Sequence, residues 1–182
     1  MKKTILTFGL ISGAISSLVM VAIVPFADRI GFERGPVIGY TSIVLSFLLV
    51  FFGIRSYRDN MGNGQITFLK AFAVGISITL ISCACYVVTW EVIYYNFLPD
   101  FWDKYGAHLV EKLRASGASD AAVQARLQEV AKYKVLYKNP FFNAVLTFIE
   151  PFPIGLVITL ISAVILRRRP LSQPERSPLP TS

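Results

Sequence analysis

Two acidic residues, Glu91 and Glu150, lie inside long apolar stretches of the chain and are the first candidates for chemistry. After Lys70, Glu91 is the only formal charge before Asp100. An ionisable group inside a membrane-spanning helix costs about 3 kcal/mol on insertion scales, so it is usually paired, protonated or turned toward a polar cavity. The surroundings of these two carboxyl groups therefore decide whether the chain has a functional site.

The neighbours of both carboxyl groups suggest two facing helix surfaces of small and polar residues. On one helix these residues are Asn143, Thr147 and Glu150, and on the preceding one they are Ala73, Ser77, Ala84 and Glu91. In one interpretation the carboxylates line a shared cavity for a cation, a proton or a small substrate. In the other, each carboxyl group is protonated or bonded to nearby Tyr, Trp, Ser or backbone groups, or reached by Arg29 or Arg34. The sequence leaves both interpretations open.

The segment around Glu150 also contains two prolines, Pro151 and Pro153. Neither residue has an N–H group to donate to the carbonyl four residues earlier. We therefore expect the helix to kink here, as discontinuous helices do at the binding sites of transporters.

The remaining chemically active side chains point to no reaction. Cys83 and Cys85 are two residues apart, so on a helix they lie about 200° apart and cannot bond to each other. His108 is the only histidine and needs no role as a half-buried helix residue. The sequence shows no metal-ligand spacing, nucleotide loop or nucleophile–base pair, so we expect no metal, no cofactor and no enzymatic activity.

The composition indicates an all-α integral membrane protein. Of the 182 residues, 54% are hydrophobic and 16% charged, whereas soluble domains carry about 25% charged residues. Ala71–Phe97 alone would extend about 40 Å as a helix, more than the ~30 Å hydrocarbon core of a bilayer. The net charge of +7 lies largely at the ends of apolar stretches, so no nucleic-acid partner is expected. The predicted spans, packed as a four-helix bundle within one domain (residues 1–169), are 4–24, 37–54, 70–97 and 141–166.

The segments between and after these spans have distinct predicted roles. Residues 27–35 are charged and predict a polar turn, and residues 100–138 predict an extramembrane helical hairpin between the third and fourth spans, its second helix capped by Ser119 or Asp120. Residues 170–182 are rich in Pro and Ser and predict a disordered cytoplasmic tail. In the first span, Gly9, Gly13 and Ser17 form a small-residue stripe that would let a neighbouring helix approach closely.

Basic residues indicate the orientation. Lys2, Lys3 and Arg167–Arg169 flank the first and last spans, and the density of basic residues on that side favours cytoplasmic termini in a bacterial inner membrane. The residues expected to anchor the connector between the second and third spans at the membrane interface are Arg55, Tyr57, Arg58 and Lys70. The three basic ones could alternatively hold a phosphate or a lipid headgroup.

Several short motifs resemble one known family. They are Gly39-Tyr40, then Phe52-Gly53-Ile54-Arg55-Ser56-Tyr57-Arg58-Asp59, then Gly64-Gln65-Ile66-Thr67-Phe68 with Lys70-Ala71 and Val74-Gly75. Together with Gly9, Gly13 and Glu150-Pro151-x-Pro153-x-Gly155, they make residues 1–168 resemble the DUF4199 family of bacterial membrane proteins. This resemblance implies four spans and an inner-membrane location, and it supplies no activity, cofactor or site residue.

The function expected from the sequence is that of a small non-enzymatic membrane protein, acting as a scaffold or accessory subunit. Its partners would be the lipid bilayer and a second copy or another membrane protein. The alternative is a transporter or a proton or cation conduit that uses Glu91 and Glu150. Four spans are few for a monomeric transporter, so a conduit would require an oligomer.

Overall fold

The computed structural model describes residues 1–168, and in that part of the chain the secondary structure is helical, without a strand. The predicted tail at 170–182 lies outside the described residues. A 3₁₀ turn, Val24–Phe26, joins the first two helices. The α-helices are α1 (Lys2–Ile23), α2 (Ala27–Met61), α3 (Phe68–Phe97), α4 (Phe101–Ala115), α5 (Asp120–Leu136), α6 (Pro140–Ile149) and α7 (Phe152–Leu166).

Three helical stretches are long and apolar enough to cross a membrane. They are Lys2–Met61, Phe68–Phe97 and Pro140–Leu166. The first covers 60 residues and contains both α1 and α2, which pack against each other. The all-helical fold class predicted from the sequence is confirmed.

The small-residue stripe of α1 contacts α3, as predicted. A methyl group on Gly9 would lie 2.9 Å from the Ile81 side chain, and one on Gly13 would lie 2.6 Å from Cys85 Cβ. Carbon atoms normally stay about 3.5–4.0 Å apart, so only glycine permits this approach. Because positions 9 and 13 meet positions 81 and 85, α1 and α3 run parallel.

Helices α2 and α7 run antiparallel to α1 and α3, respectively. A methyl group on Gly53 of α2 would lie 3.1 Å from Phe8 of α1, whereas Ser12, one turn later in α1, donates a hydrogen bond of 2.8 Å to the main-chain oxygen of Ser46. Gly75 of α3 packs against Thr159 of α7, whereas Thr79, one turn later in α3, packs against Gly155, one turn earlier in α7. Helices α1, α2, α3 and α7 therefore alternate in direction along the chain.

The start of α3 and the end of α7 are tied together by backbone hydrogen bonds. Ile66 and Arg168 each donate an N–H to the carbonyl of the other, at 3.2 and 3.0 Å. Since α1 runs parallel to α3, the first residues of the chain and Arg168 lie at the same end of the packed helices.

The prediction of a polar turn at residues 27–35 is wrong in most of its length. This segment belongs to α2, which is interrupted at Gly31 (φ 70°, ψ 173°). Only glycine adopts that conformation without strain, so the chain bends there and resumes its helix ahead of Pro36. Asp28 lies in the first turn of α2, where the helix dipole favours a negative charge.

The charged segment at residues 27–35 contacts helix α4. Lys104 donates to Asp28 at 3.2 Å, and Lys112 donates to Glu33 at 2.8 Å. The ring of Phe32 packs edge-on against Phe101, with ring centroids 5.7 Å apart. Charges that suggested a turn are thus partners of α4. The hydrogen bond to Glu33 raises the pKa of Lys112 above its ordinary value.

Helices α4 and α5 pack on each other. A methyl group on Gly106 would lie 3.5 Å from Val130 and 3.8 Å from Leu127, and Val123 and Val130 are buried. Ser119 accepts a hydrogen bond from the Ala122 N–H, so the predicted cap at the start of α5 is confirmed.

Candidate functional site

The predicted break next to Glu150 is confirmed. Helix α6 ends at Ile149 and α7 begins at Phe152. Pro151 is fully buried at the junction, and because Pro151 and Pro153 lack an N–H, the carbonyls of Thr147 and Ile149 lose their usual helical donors.

Glu150, at this break, is bonded to a tyrosine from another helix. Tyr86 of α3, which is 9% exposed, donates its hydroxyl hydrogen to Glu150 Oε2 at 3.3 Å. The hydroxyl of Tyr40, from α2, lies close to the same carboxylate. Glu150 is exposed at the surface of the packed helices, so its carboxylate lies at the outer edge of the contact between α3 and the α6–α7 junction.

Asn143 and Thr147 form a second polar contact between α6 and α3. Trp90 Nε1 donates to Asn143 Oδ1 at 3.0 Å, and the Thr147 hydroxyl donates to the same oxygen at 3.2 Å. Asn143 is fully buried and Thr147 is 4% exposed. Asn143 Nδ2 has no hydrogen-bond partner within residues 1–168. These contacts hold α6 against α3. Thr147 precedes Glu150 by three residues, which is less than one helical turn.

Glu91 does not join this group. Its side chain is half-buried, and Oε1 is a buried atom without a hydrogen-bond partner in the described part of the chain. It follows Trp90 by one residue and so lies about 100° further around α3. Among residues 1–168 no hydrogen bond connects Glu91 with Glu150.

The expectation that the Ala73, Ser77, Ala84 and Glu91 stripe faces the fourth span is wrong. Ala73 and Ala84 are exposed, whereas Cys83 is fully buried. The face of α3 that meets α6 instead carries Tyr86 and Trp90. Two aromatic residues four apart on an apolar helix were the available signal for that face, and the predicted stripe did not include them.

The four predicted interface anchors have different surroundings. Arg55 and Arg58 both lie near Asp59, at 3.6 and 2.7 Å. Lys70 is exposed, whereas Tyr57 is 7% exposed and belongs to the buried core. Arg55 and Lys70 are exposed and remain available to an interface, whereas the Arg58 side chain is 12% exposed and the Tyr57 ring packs inside the protein.

The hydroxyl groups along the helix contacts were also missed. Ser12 and Ser82 lie 3.1 Å apart, and Thr79 and Thr159 lie 3.0 Å apart, each pair joining two helices. Among residues 1–168 no three His, Cys, Asp or Glu side chains converge in a way that could hold a metal ion. The chemistry that the geometry offers is that of the Glu150 carboxyl group, which accepts a hydrogen bond from the Tyr86 hydroxyl and can bind and release a proton.

The comparisons with known proteins give one result. A family model described as "Protein of unknown function (DUF4199)" matches residues 7–168. No curated protein and no solved structure matches the chain. The match begins within α1 and covers all of α2 to α7, including the Glu150-Pro151 break and the α4–α5 pair. The chain is therefore a member of the DUF4199 family of proteins of unknown function.

Proposed function

We propose that this protein is a non-enzymatic, four-span protein of the bacterial inner membrane that acts as a scaffold or accessory subunit. One observation carries the proposal: polar groups of the long helices pair with one another inside, while large apolar side chains point outward. Leu18, Val37 and Ile165 are 68%, 65% and 64% exposed. Exposing such an apolar surface around four packed helices to water is unfavourable, whereas exposing it to lipid is not.

The lengths of the helices support four crossings. Helix α1 has 22 residues and extends about 33 Å, enough for the ~30 Å hydrocarbon core. Its antiparallel partner α2 supplies the second crossing, α3 the third, and α6 with α7 the fourth. This arrangement puts both ends of residues 1–168 on one side and the α4–α5 pair on the other, and the basic residues at the chain ends favour cytoplasm for the first side.

Reporter fusions test this topology. Alkaline phosphatase and green fluorescent protein are fused after Gly62 and, separately, after Gly117. We expect fluorescence only from the Gly62 fusion and phosphatase activity only from the Gly117 fusion. The same active reporter at both sites would contradict four crossings, and extraction of the protein by carbonate without detergent would contradict membrane insertion.

The proposal of a scaffold follows from how the polar side chains are used. The Ser12 hydroxyl bonds to the main-chain oxygen of Ser46 and to the hydroxyl of Ser82, which joins three helices. The void beside them, bordered by Ser16, Tyr86 and other residues, is too small for a water molecule. Because these polar side chains are used to hold the helices together, none of them is free to take part in a reaction. This supports a role in which the protein acts through the surface that it presents to partners.

Mild-detergent purification from native membranes tests the scaffold role. We expect a stable protein partner, or a second copy, to co-purify, with the stoichiometry read by mass spectrometry and light scattering. A monomer with no associated protein in several mild detergents would contradict it.

A proton or cation conduit is the second candidate, because Glu150 lies at a broken helix and accepts a hydrogen bond from Tyr86. In proteoliposomes a conduit requires flux that Glu150→Gln abolishes while Glu111→Gln, which changes an exposed carboxylate of α4, leaves it unchanged. The scaffold predicts no flux from the unchanged protein.

A further inference from the structure

An apolar groove runs between the end of α1 and the last turns of α3. Its volume is about 370 Å³, within the ~300–1,000 Å³ range of small-molecule sites. Residues from α1 and the following turn form one wall, and residues from α3 form the other. The residues that define its shape are Val21, Val24, Pro25, Val88, Val92 and Phe97.

The groove offers no free polar group to an occupant. Thr89 is the one lining residue with a polar side chain, and its hydroxyl is 2.8 Å from both Ser17 Oγ and the main-chain oxygen of Cys85. Since that hydroxyl is already bonded within the protein, the groove selects hydrocarbon.

The length of the groove corresponds to one leaflet of a bilayer. From Val88 to Phe97 the helix rises about 14 Å, close to half of the ~30 Å hydrocarbon core. Phe97 is the last residue of α3, so the groove lies in the half of α3 that ends at the surface that carries α4. An acyl chain of a lipid in that leaflet has this length and chemistry.

Arg29 is the basic residue nearest along the chain to the groove residue Pro25. Arg29 follows Pro25 by four residues and is exposed. Within residues 1–168 it forms no ion pair, whereas the neighbouring Asp28 is bonded to Lys104. A cation one helical turn beyond an acyl-sized groove is complementary to the phosphate of a lipid headgroup.

We propose that this groove holds one acyl chain of a phospholipid from the leaflet on the α4 side, with the lipid phosphate at Arg29. The bound lipid fills the space between α1 and α3 where their small-residue contact ends. This inference depends on the membrane insertion proposed above, which carbonate extraction measures independently.

Native mass spectrometry of the full chain tests the inference. The protein is reconstituted in nanodiscs of dioleoyl phosphatidylglycerol and dioleoyl phosphatidylethanolamine, released into detergent and washed. We expect one phospholipid to remain on each chain. Val92→Phe fills the groove and should remove the retained lipid, whereas Val157→Phe, at a position of equal exposure on α7 (53% against 52%), should keep it.

Arg29→Gln provides a second variant that leaves the groove packing unchanged. It should weaken retention and abolish any preference for phosphatidylglycerol. Each variant is first checked for unchanged helical content and a single peak in size-exclusion chromatography. The inference is overturned if the unchanged protein retains no lipid, if Val92→Phe retains as much as Val157→Phe, or if the groove proves to be filled by a second copy, which would appear as a dimer that Val92→Phe dissociates.

Discussion

The contact between α1 and α3 at Gly13 yields the sharpest prediction, for Gly13→Ala. The added methyl group would lie 2.6 Å from Cys85 Cβ, 2.8 Å from its sulfur and 3.3 Å from the main chain of Ser82. Since normal carbon contacts are about 3.5–4.0 Å, α1 must move away from α3 by roughly 1 Å. Main-chain and Cβ atoms cannot rotate aside as the end of a long side chain can.

Moving α1 away from α3 lowers the free energy of unfolding through several contributions. Overpacking a tight contact costs about 1–3 kcal/mol. The shift also stretches the contact between Ser12 and Ser82 and the hydrogen bond of 2.8 Å between Thr89 and Ser17, and hydrogen bonds between membrane helices contribute about 0.6 kcal/mol each. The better helix propensity of alanine offsets up to about 1 kcal/mol. We expect a net loss of about 2 kcal/mol in the free energy of unfolding.

Gly39→Ala is the matched control, because a methyl group on Gly39 in α2 would meet nothing within 4 Å. Reversible unfolding in mixed micelles of mild detergent and dodecyl sulfate, followed by far-ultraviolet circular dichroism, gives the free energies. Equal stability of Gly13→Ala and Gly39→Ala would refute the close approach of α1 and α3. Adding Cys85→Gly to Gly13→Ala should restore part of the loss, since it removes the opposing side chain.

Three further predictions follow from single features. Thr79→Val removes a hydroxyl pair of 3.0 Å with Thr159 and should cost about 0.6–1 kcal/mol of unfolding free energy, with the double valine variant costing less than the sum of the single ones. Gly31→Ala should cost about 1–3 kcal/mol, because alanine is strained at φ 70°, ψ 173°, whereas Gly35→Ala, with open space around it, should not. Burial raises the pKa of Tyr137 to about 12. In an absorbance titration of phenol ionisation at alkaline pH, the Tyr137→Phe variant should therefore lack an ionisation step near pH 12. Because the folded-state value is the raised one, the stabilisation by Tyr137 is present below the ordinary tyrosine pKa and is lost as the pH rises toward 12.

Local chemistry made part of the fold predictable. The small-residue stripe of Gly9 and Gly13, the cap at Ser119 and the helix break at Pro151 each follow from the preference of a residue type for one backbone position or contact. These features are all present in the structure. None of them depends on knowing which other segment of the chain lies nearby.

The predictions that were wrong concern features that depend on segments distant in sequence. The charges of residues 27–35 predicted a turn, yet Asp28 and Glu33 are ion-paired with α4, a helix distant in sequence. The rotation of α3 was also misassigned: its small residues Ala73 and Ala84 face outward, and the bulky Tyr86 packs inward. In a helix that is apolar on every side, the hydrophobic pattern does not identify the buried face.

The sequence by itself determined that the chain is helical and that a helix breaks at Pro151, because an apolar segment can satisfy its backbone in lipid only by bonding internally and proline removes one of those bonds. The interruption of α2 at Gly31 was not predicted. Only the tertiary structure decided which polar groups meet. Glu150 accepts a hydrogen bond from Tyr86 and Asn143 accepts one from Trp90, while Glu91 lies outside this group. The reason is that the rotation of each helix about its axis is set by the close contacts of glycine and serine with neighbouring helices, and not by the helix's own sequence pattern.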